Sequence, residues 1–82
     1  MIRLKVKEIA RQKGVSQGKL GRFADVDPRT MRRIYRHPTT SITLPTLDRI
    51  AKALQVDSSE LIQSVPDDWI EPMASEDEED AE

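Results

Sequence analysis

The chain has no cysteine. No disulfide can brace it, and the absence fits a reducing compartment. Aromatics are almost missing too: Phe23, Tyr35 and Trp69 stand alone. That scarcity argues against a β-sandwich or barrel, whose strands favour aromatic and β-branched residues. Apolar residues never run to three in a row, so neither a membrane span nor a secretory signal peptide is expected. There is one histidine, His37, with no second ligand beside it for a metal, and a loop or helix-end role is expected of it. No glycine-rich phosphate loop occurs. No nucleophile–base pair occurs either, and the acidic clusters lack calcium-loop spacing. An enzyme is not expected, and no cofactor or metal.

Basic residues are missing from the last thirty positions. All 13 Lys and Arg lie within residues 1–52. Against the six acids of residues 1–63 they leave +7, while residues 64–82 carry nine acids and no base, or −9. The net charge of −2 hides a basic body and an acidic tail. Such asymmetry points to a polyanionic partner. At 82 residues the chain is one small domain with a tail, and we place the boundary at 1–65 and 66–82.

Local patterns predict helices. Ile2, Val6, Ile9 and Ala10 form a helical stripe, giving a first helix over about 5–13 closed by Gly14. "IRLKVK" before it alternates like a strand. It is either a short strand, with an edge that a second copy could join through residues 2–6, or a frayed lead into the helix. Ser16 caps a second helix with Leu20, Phe23 and Ala24 inward. Its glycines weaken it, and Gly21 suggests a closely passing helix. Asp27 caps a third helix with Pro28 at its first position. That helix stops near Arg36, because His37 precedes Pro38. Thr43 opens a fourth, with Leu47, Ile50, Ala51 and Leu54 inward. "DSSE" at Asp57–Glu60 resembles a capping box and opens a short fifth through Leu61 and Ile62. The expected fold is all-α, a compact bundle of five helices with a disordered acidic tail.

The third helix carries the unusual chemistry. At about 100° per residue, Met31, Ile34 and Tyr35 fall on one side. Arg29, Arg32, Arg33 and Arg36 fall on the other. Like charges at these spacings repel, and an opposing polyanion removes that cost. A major groove admits a helix, and the arginine fork matches guanine O6 and N7; the other reading of the stripe alone is a solvated basic face with no partner.

"SQGKLGRFADVDPRTMRRIY" has the layout of two helices joined by a short turn. It resembles a Cro/repressor-type, XRE-like helix-turn-helix domain. The resemblance rests on Ser16-Gln17, Leu20-Gly21, Val26-Asp27, Thr30-Met31 and Ile34, and on "TLPTLDRIAKALQVDSSELI". It covers residues 2–63 and implies a lambda-repressor-like fold. It further implies a sequence-specific, double-stranded-DNA-binding transcriptional regulator such as a repressor. Such a protein would be cytoplasmic, nucleoid-associated and homodimeric. By the same resemblance Pro28, Arg29, Arg32 and Arg33 approach bases. Ser16, Gln17, Thr30, Arg36, Thr39, Thr40 and Ser41 approach the DNA backbone. Asp25 stands where the family often has glycine, and an aspartate tolerates the left-handed turn better than most residues. Pro28 offers only apolar contact, which leaves specificity chiefly to Arg29 and Arg33.

Trp69, in "PDDWIEP", has three readings: packing on the body, covering a dimer seam, or binding a partner protein. The tail is either a solubilising end or a competitor for the arginine stripe. The rival function is therefore a protein-interaction module, an antitoxin or adaptor that uses Trp69 and the tail.

Overall fold

A computed structural model describes residues 1–72. The order is β1 Ile2–Leu4, α1 Val6–Gln12, α2 Gln17–Ala24, α3 Pro28–Arg36 and α4 Leu44–Leu54. A 3₁₀ turn at Ser58–Leu61 and β2 Ile62–Ser64 follow. Capping explains most of the boundaries. Ser16 Oγ accepts the Lys19 amide at 3.2 Å, Asp27 Oδ1 the Thr30 amide at 2.7 Å, and Thr43 Oγ1 the Thr46 amide at 3.3 Å. Each satisfies an orphan donor of a first turn.

Three helices end alike. The chain turns left-handed at Gly14 (φ 72°), Asp25 (φ 59°) and Gln55 (φ 60°). The following amides of Val15, Val26 and Val56 reach back to the carbonyls of Ala10, Gly21 and Ala51 at 2.9–3.0 Å. This is the Schellman motif, with an apolar residue just past each helix. Asp25 thus does what glycine commonly does at this turn. α3 ends differently, at His37, whose φ −130° and ψ 76° leave the helical region before Pro38, as pre-proline sterics require.

The four main helices hold a core that includes Val6, Leu20, Met31, Ile34, Ile50 and Leu61. Two expectations fail here. Phe23 is 63% exposed, and Gln17 is buried instead. The stripe Gln17–Leu20–Gly21–Ala24 faces inward, and Phe23 lies about 100° off its centre. The fifth helix is only a 3₁₀ turn. Asp57 forms no side-chain cap. Its carboxylate takes the Ser59 hydroxyl instead, so the first turn of an α-helix is not secured. After Leu61 the chain extends into β2 and pairs antiparallel with β1, Leu4 against Ile62, Arg3 against Gln63 and Ile2 against Ser64. The fold is therefore four helices plus a two-stranded sheet. The strand within residues 2–6 exists, but its partner belongs to the same chain, and Val6 already starts α1.

The close approach expected at Gly21 is real. A Cβ there would stand 3.1 Å from Met31 Cγ and 3.1 Å from the Val26 carbonyl oxygen. The Met31 side chain can yield, but the Val26 carbonyl is backbone of the turn between α2 and α3. Helix propensity would favour alanine by about 1 kcal/mol. We expect the contact to outweigh that gain, so Gly21→Ala should lower stability by about 1 kcal/mol in urea titration. A stabilised variant would show that the turn gives way freely.

Arg3 is a buried cation. Its Nη2 donates to Glu8 Oε2 at 2.5 Å and to Glu71 Oε2 at 2.7 Å, and its Nε donates to Glu71 Oε1 at 2.9 Å. Trp69 Nε1 donates to the same Glu71 oxygen at 3.0 Å. Residues 66–71 are thereby strapped to the body, with Trp69 half-buried. The Arg3 hydrogen bond holds the Glu71 carboxyl below its usual range against the opposing effect of burial, helped by the Trp69 indole. A depressed folded value means this stabilisation is present above the unfolded value of 4.5 and is lost as pH falls through the folded one. The only tryptophan in the chain reports the event. Its fluorescence should shift as acid is added below pH 4.5, while Glu71→Gln should remove that step. An unchanged acid titration in the variant would refute the strap as its cause.

Candidate nucleic-acid interface

α3 is the centre of the site. Met31, Ile34 and Tyr35 are buried, while Arg29, Arg32, Arg33 and Arg36 are all exposed along the other face. α2 holds α3 in place across the three residues Asp25, Val26 and Asp27. Asp27 is the acid at the head of the stripe. The Thr30 amide lowers its pKa most, then the Thr30 hydroxyl, then the charges of Arg29 and Arg33. The shift favours the ionised carboxylate that caps α3.

The four arginines are not equivalent. Arg29 and Arg32 flank a depression of about 410 Å³ together with Asp27 and Pro28. Arg33 lies on the other flank, where a second depression of about 410 Å³ is lined by Thr30, Ser41, Ile42, Thr43 and Thr46 as well. Arg36 is exposed on the last turn of α3. The structure thus joins Arg33 and Thr30 to Ser41. Thr39 and Thr40 do not line that depression; they sit in a turn whose Thr40 amide bonds the His37 carbonyl at 2.9 Å. Ser16 is exposed and occupied as a cap. Gln17, only 8% exposed, is among the residues that line an open groove of about 920 Å³ between α2, α3 and α4.

Sequence reasoning missed part of this surface. Arg22, Thr46 and Arg49 line the open groove beside Gln17 and Arg32, and Arg49 Nε also donates to the Ala24 carbonyl at 3.0 Å. The sequence marks Thr43 only as a helix-start residue and does not single out Thr46. Their hydroxyls lie 2.9 Å apart, beside Arg33. The signal was the i, i+3 hydroxyl pair at a helix N-terminus, where anions are favoured.

Among the described residues, no group of three or more His, Cys, Asp or Glu could hold a metal ion. No helix among them is long and apolar enough to cross a membrane. The acidic run at 76–80 lies outside the described residues, so both readings of the tail do too.

A buried-faced, arginine-crowned helix, held by a second helix across a three-residue turn, defines a helix-turn-helix DNA-binding domain. The family model of the Cro/C1-type HTH DNA-binding domain matches residues 5–67. The chain belongs to that family, and DNA is its partner. A search of curated proteins found no match.

Proposed function

We propose that the protein is a sequence-specific transcriptional regulator that inserts α3 into the major groove of double-stranded DNA. The observation that carries this reading is the exposed face of α3, four arginines opposite three buried apolar side chains. Such a face costs repulsion in the free protein and gains bidentate hydrogen bonds and counterion release on DNA. Arg29 and Arg33 read bases, Arg32 reads a base or holds a phosphate, and Pro28 offers apolar contact. Arg36, Ser16, Thr30, Thr39, Thr40 and Ser41 track the backbone. The burial of Gln17 supports a bracing role beside the phosphate contact that the resemblance implies. The regulator acts as a homodimer on two half-sites about one helical turn apart.

The test is selection from random duplex DNA by the purified protein at about 150 mM salt, where nonspecific phosphate binding is weakened. Enrichment of an inverted repeat is expected. Binding that enriches no sequence and disappears as salt rises would leave only a basic surface and overturn the reading.

A further inference from the structure

The exposed face of α3 is charged in one sign. Arg29, Arg32, Arg33 and Arg36 stand on it, at spacings where like charges repel. Asp27 at its head is committed to capping the Thr30 amide. Other acids of the body are held elsewhere: Glu8 and Glu71 on Arg3, and Asp48 on Lys52. Charge complementary to this face lies in residues 73–82, which carry six acids and no base.

The strap at Trp69 and Glu71 decides where that segment leaves the body. The Glu71 carboxylate is held by Arg3 through hydrogen bonds of 2.7 and 2.9 Å. Lys7 of α1 is close enough for its charge to favour the ionised Glu71, and α1 packs against α3. Leu4, the residue after Arg3, bonds its amide to the Pro38 carbonyl at 2.7 Å. Pro38 stands just past the last turn of α3. The path from Glu71 through Arg3, Leu4 and Pro38 to Arg36 is therefore no more than roughly 28 Å between Cα atoms, and the straight line is shorter. An extended chain leaving Glu71 reaches about 17 Å at Glu76 and about 30 Å at Asp80. The acidic run spans the distance to Arg36, and its far end that to Arg32 and Arg33.

We propose that residues 76–80 dock on the arginine face of α3 from its Arg36 end and compete with DNA for it. The contact stands on charge and reach; its consequence rests on the reading of α3 as the DNA-binding face. A short tether sets an effective concentration of about millimolar. Exposed ion pairs that are weak singly then suffice together. An untethered acidic peptide would have to match that concentration, so the chain's own segment is the better occupant. DNA carries a denser line of charge and releases counterions on binding, so it displaces the segment. Specific and nonspecific duplexes need the same face, and the competition weakens both by one factor. Tightly bound sites survive that factor and weak ones do not.

The experiment uses the full chain, which has no native cysteine. Ala81→Cys carries a nitroxide beside the acidic run, and its broadening of backbone amide NMR signals marks where the run rests. A second labelled protein adds Glu76→Gln, Asp77→Asn, Glu78→Gln, Glu79→Gln and Asp80→Asn, which keep shape and remove charge. We expect the acidic chain to broaden the amides of Arg32, Arg33 and Arg36. The amide-substituted chain should not, and a random-sequence duplex added at about 50 mM salt should reverse the broadening. At that salt the substituted chain should bind every duplex about tenfold tighter, and the gain should shrink at about 300 mM. Affinity alone would not separate contact from long-range repulsion; the label does. Broadening that is equal in both chains, or missing from α3, while duplex is still bound would overturn the proposal and leave the DNA reading standing. Charge-dependent broadening of α3 in a protein that binds no duplex would do the reverse.

Discussion

Leu20→Ala is expected to lower the free energy of unfolding by about 3–4 kcal/mol. Leu20 is fully buried in α2, and α2 packs against α1, α3 and α4. The cavity left by three carbons cannot close without moving helices that other contacts hold. A body of this size has roughly 4–10 kcal/mol of stability in all. The substitution therefore removes a large share of it and should lower the melting temperature by about 12–25 °C. Urea unfolding followed by helical circular dichroism and by Trp69 fluorescence measures it. Phe23→Ala, three residues away, is the companion. Phe23 is the larger side chain, but it is 63% exposed, and its removal should cost less than about 1 kcal/mol. If Phe23 proved the costlier loss, the inward stripe of α2 would be wrongly placed.

That contrast shows where the sequence was readable and where it was not. α3 was legible almost to the residue. Asp27, Pro28 and the His37-Pro38 pair punctuate it by local sterics, and its apolar and basic residues separate cleanly by angle. In α2 two apolar stripes competed. Leu20 and Ala24 belong to both, so local periodicity could not choose between Phe23 and Gln17. The decision came from α4 and α3 packing on the Gly21 side, which is a tertiary fact. β2 was illegible for a related reason. Ile62, Gln63 and Ser64 carry no period long enough to read, and their conformation depends on β1, about sixty residues earlier in the chain. Nothing in the sequence singles out Arg3 among the 13 bases. Its burial follows from Glu8 and Glu71 converging on it, and Glu71 lay in a segment whose composition argued for no structure at all. The arginine face was legible because its signal is local. Its partners Thr43, Thr46 and Arg49 arrive from α4 through the fold.

Arg29→Ala and Arg33→Ala should each weaken binding to the selected duplex by about 1–3 kcal/mol per half-site. On an inverted repeat bound by two copies the loss doubles, to roughly 2–6 kcal/mol, which makes these the largest effects on binding. The two residues sit differently, and the measurements can separate them. Arg29 stands beside Pro28 at the head of α3, and Arg33 lies toward Ser41, Thr43 and Thr46. If both read bases, each alanine variant relaxes preference at one position of each half-site. If the hydroxyl-lined flank holds Arg33 against a phosphate, Arg33→Ala weakens every sequence alike and lowers the salt dependence by about one counterion per copy. Lysine sharpens the distinction, because it keeps the charge and loses the planar fork. Arg29→Lys should retain the salt dependence and nonspecific affinity yet lose most of the preference for its base. A lysine that preserved the preference would show that position 29 supplies charge alone, and would move the reading of sequence to Arg32 and Arg33.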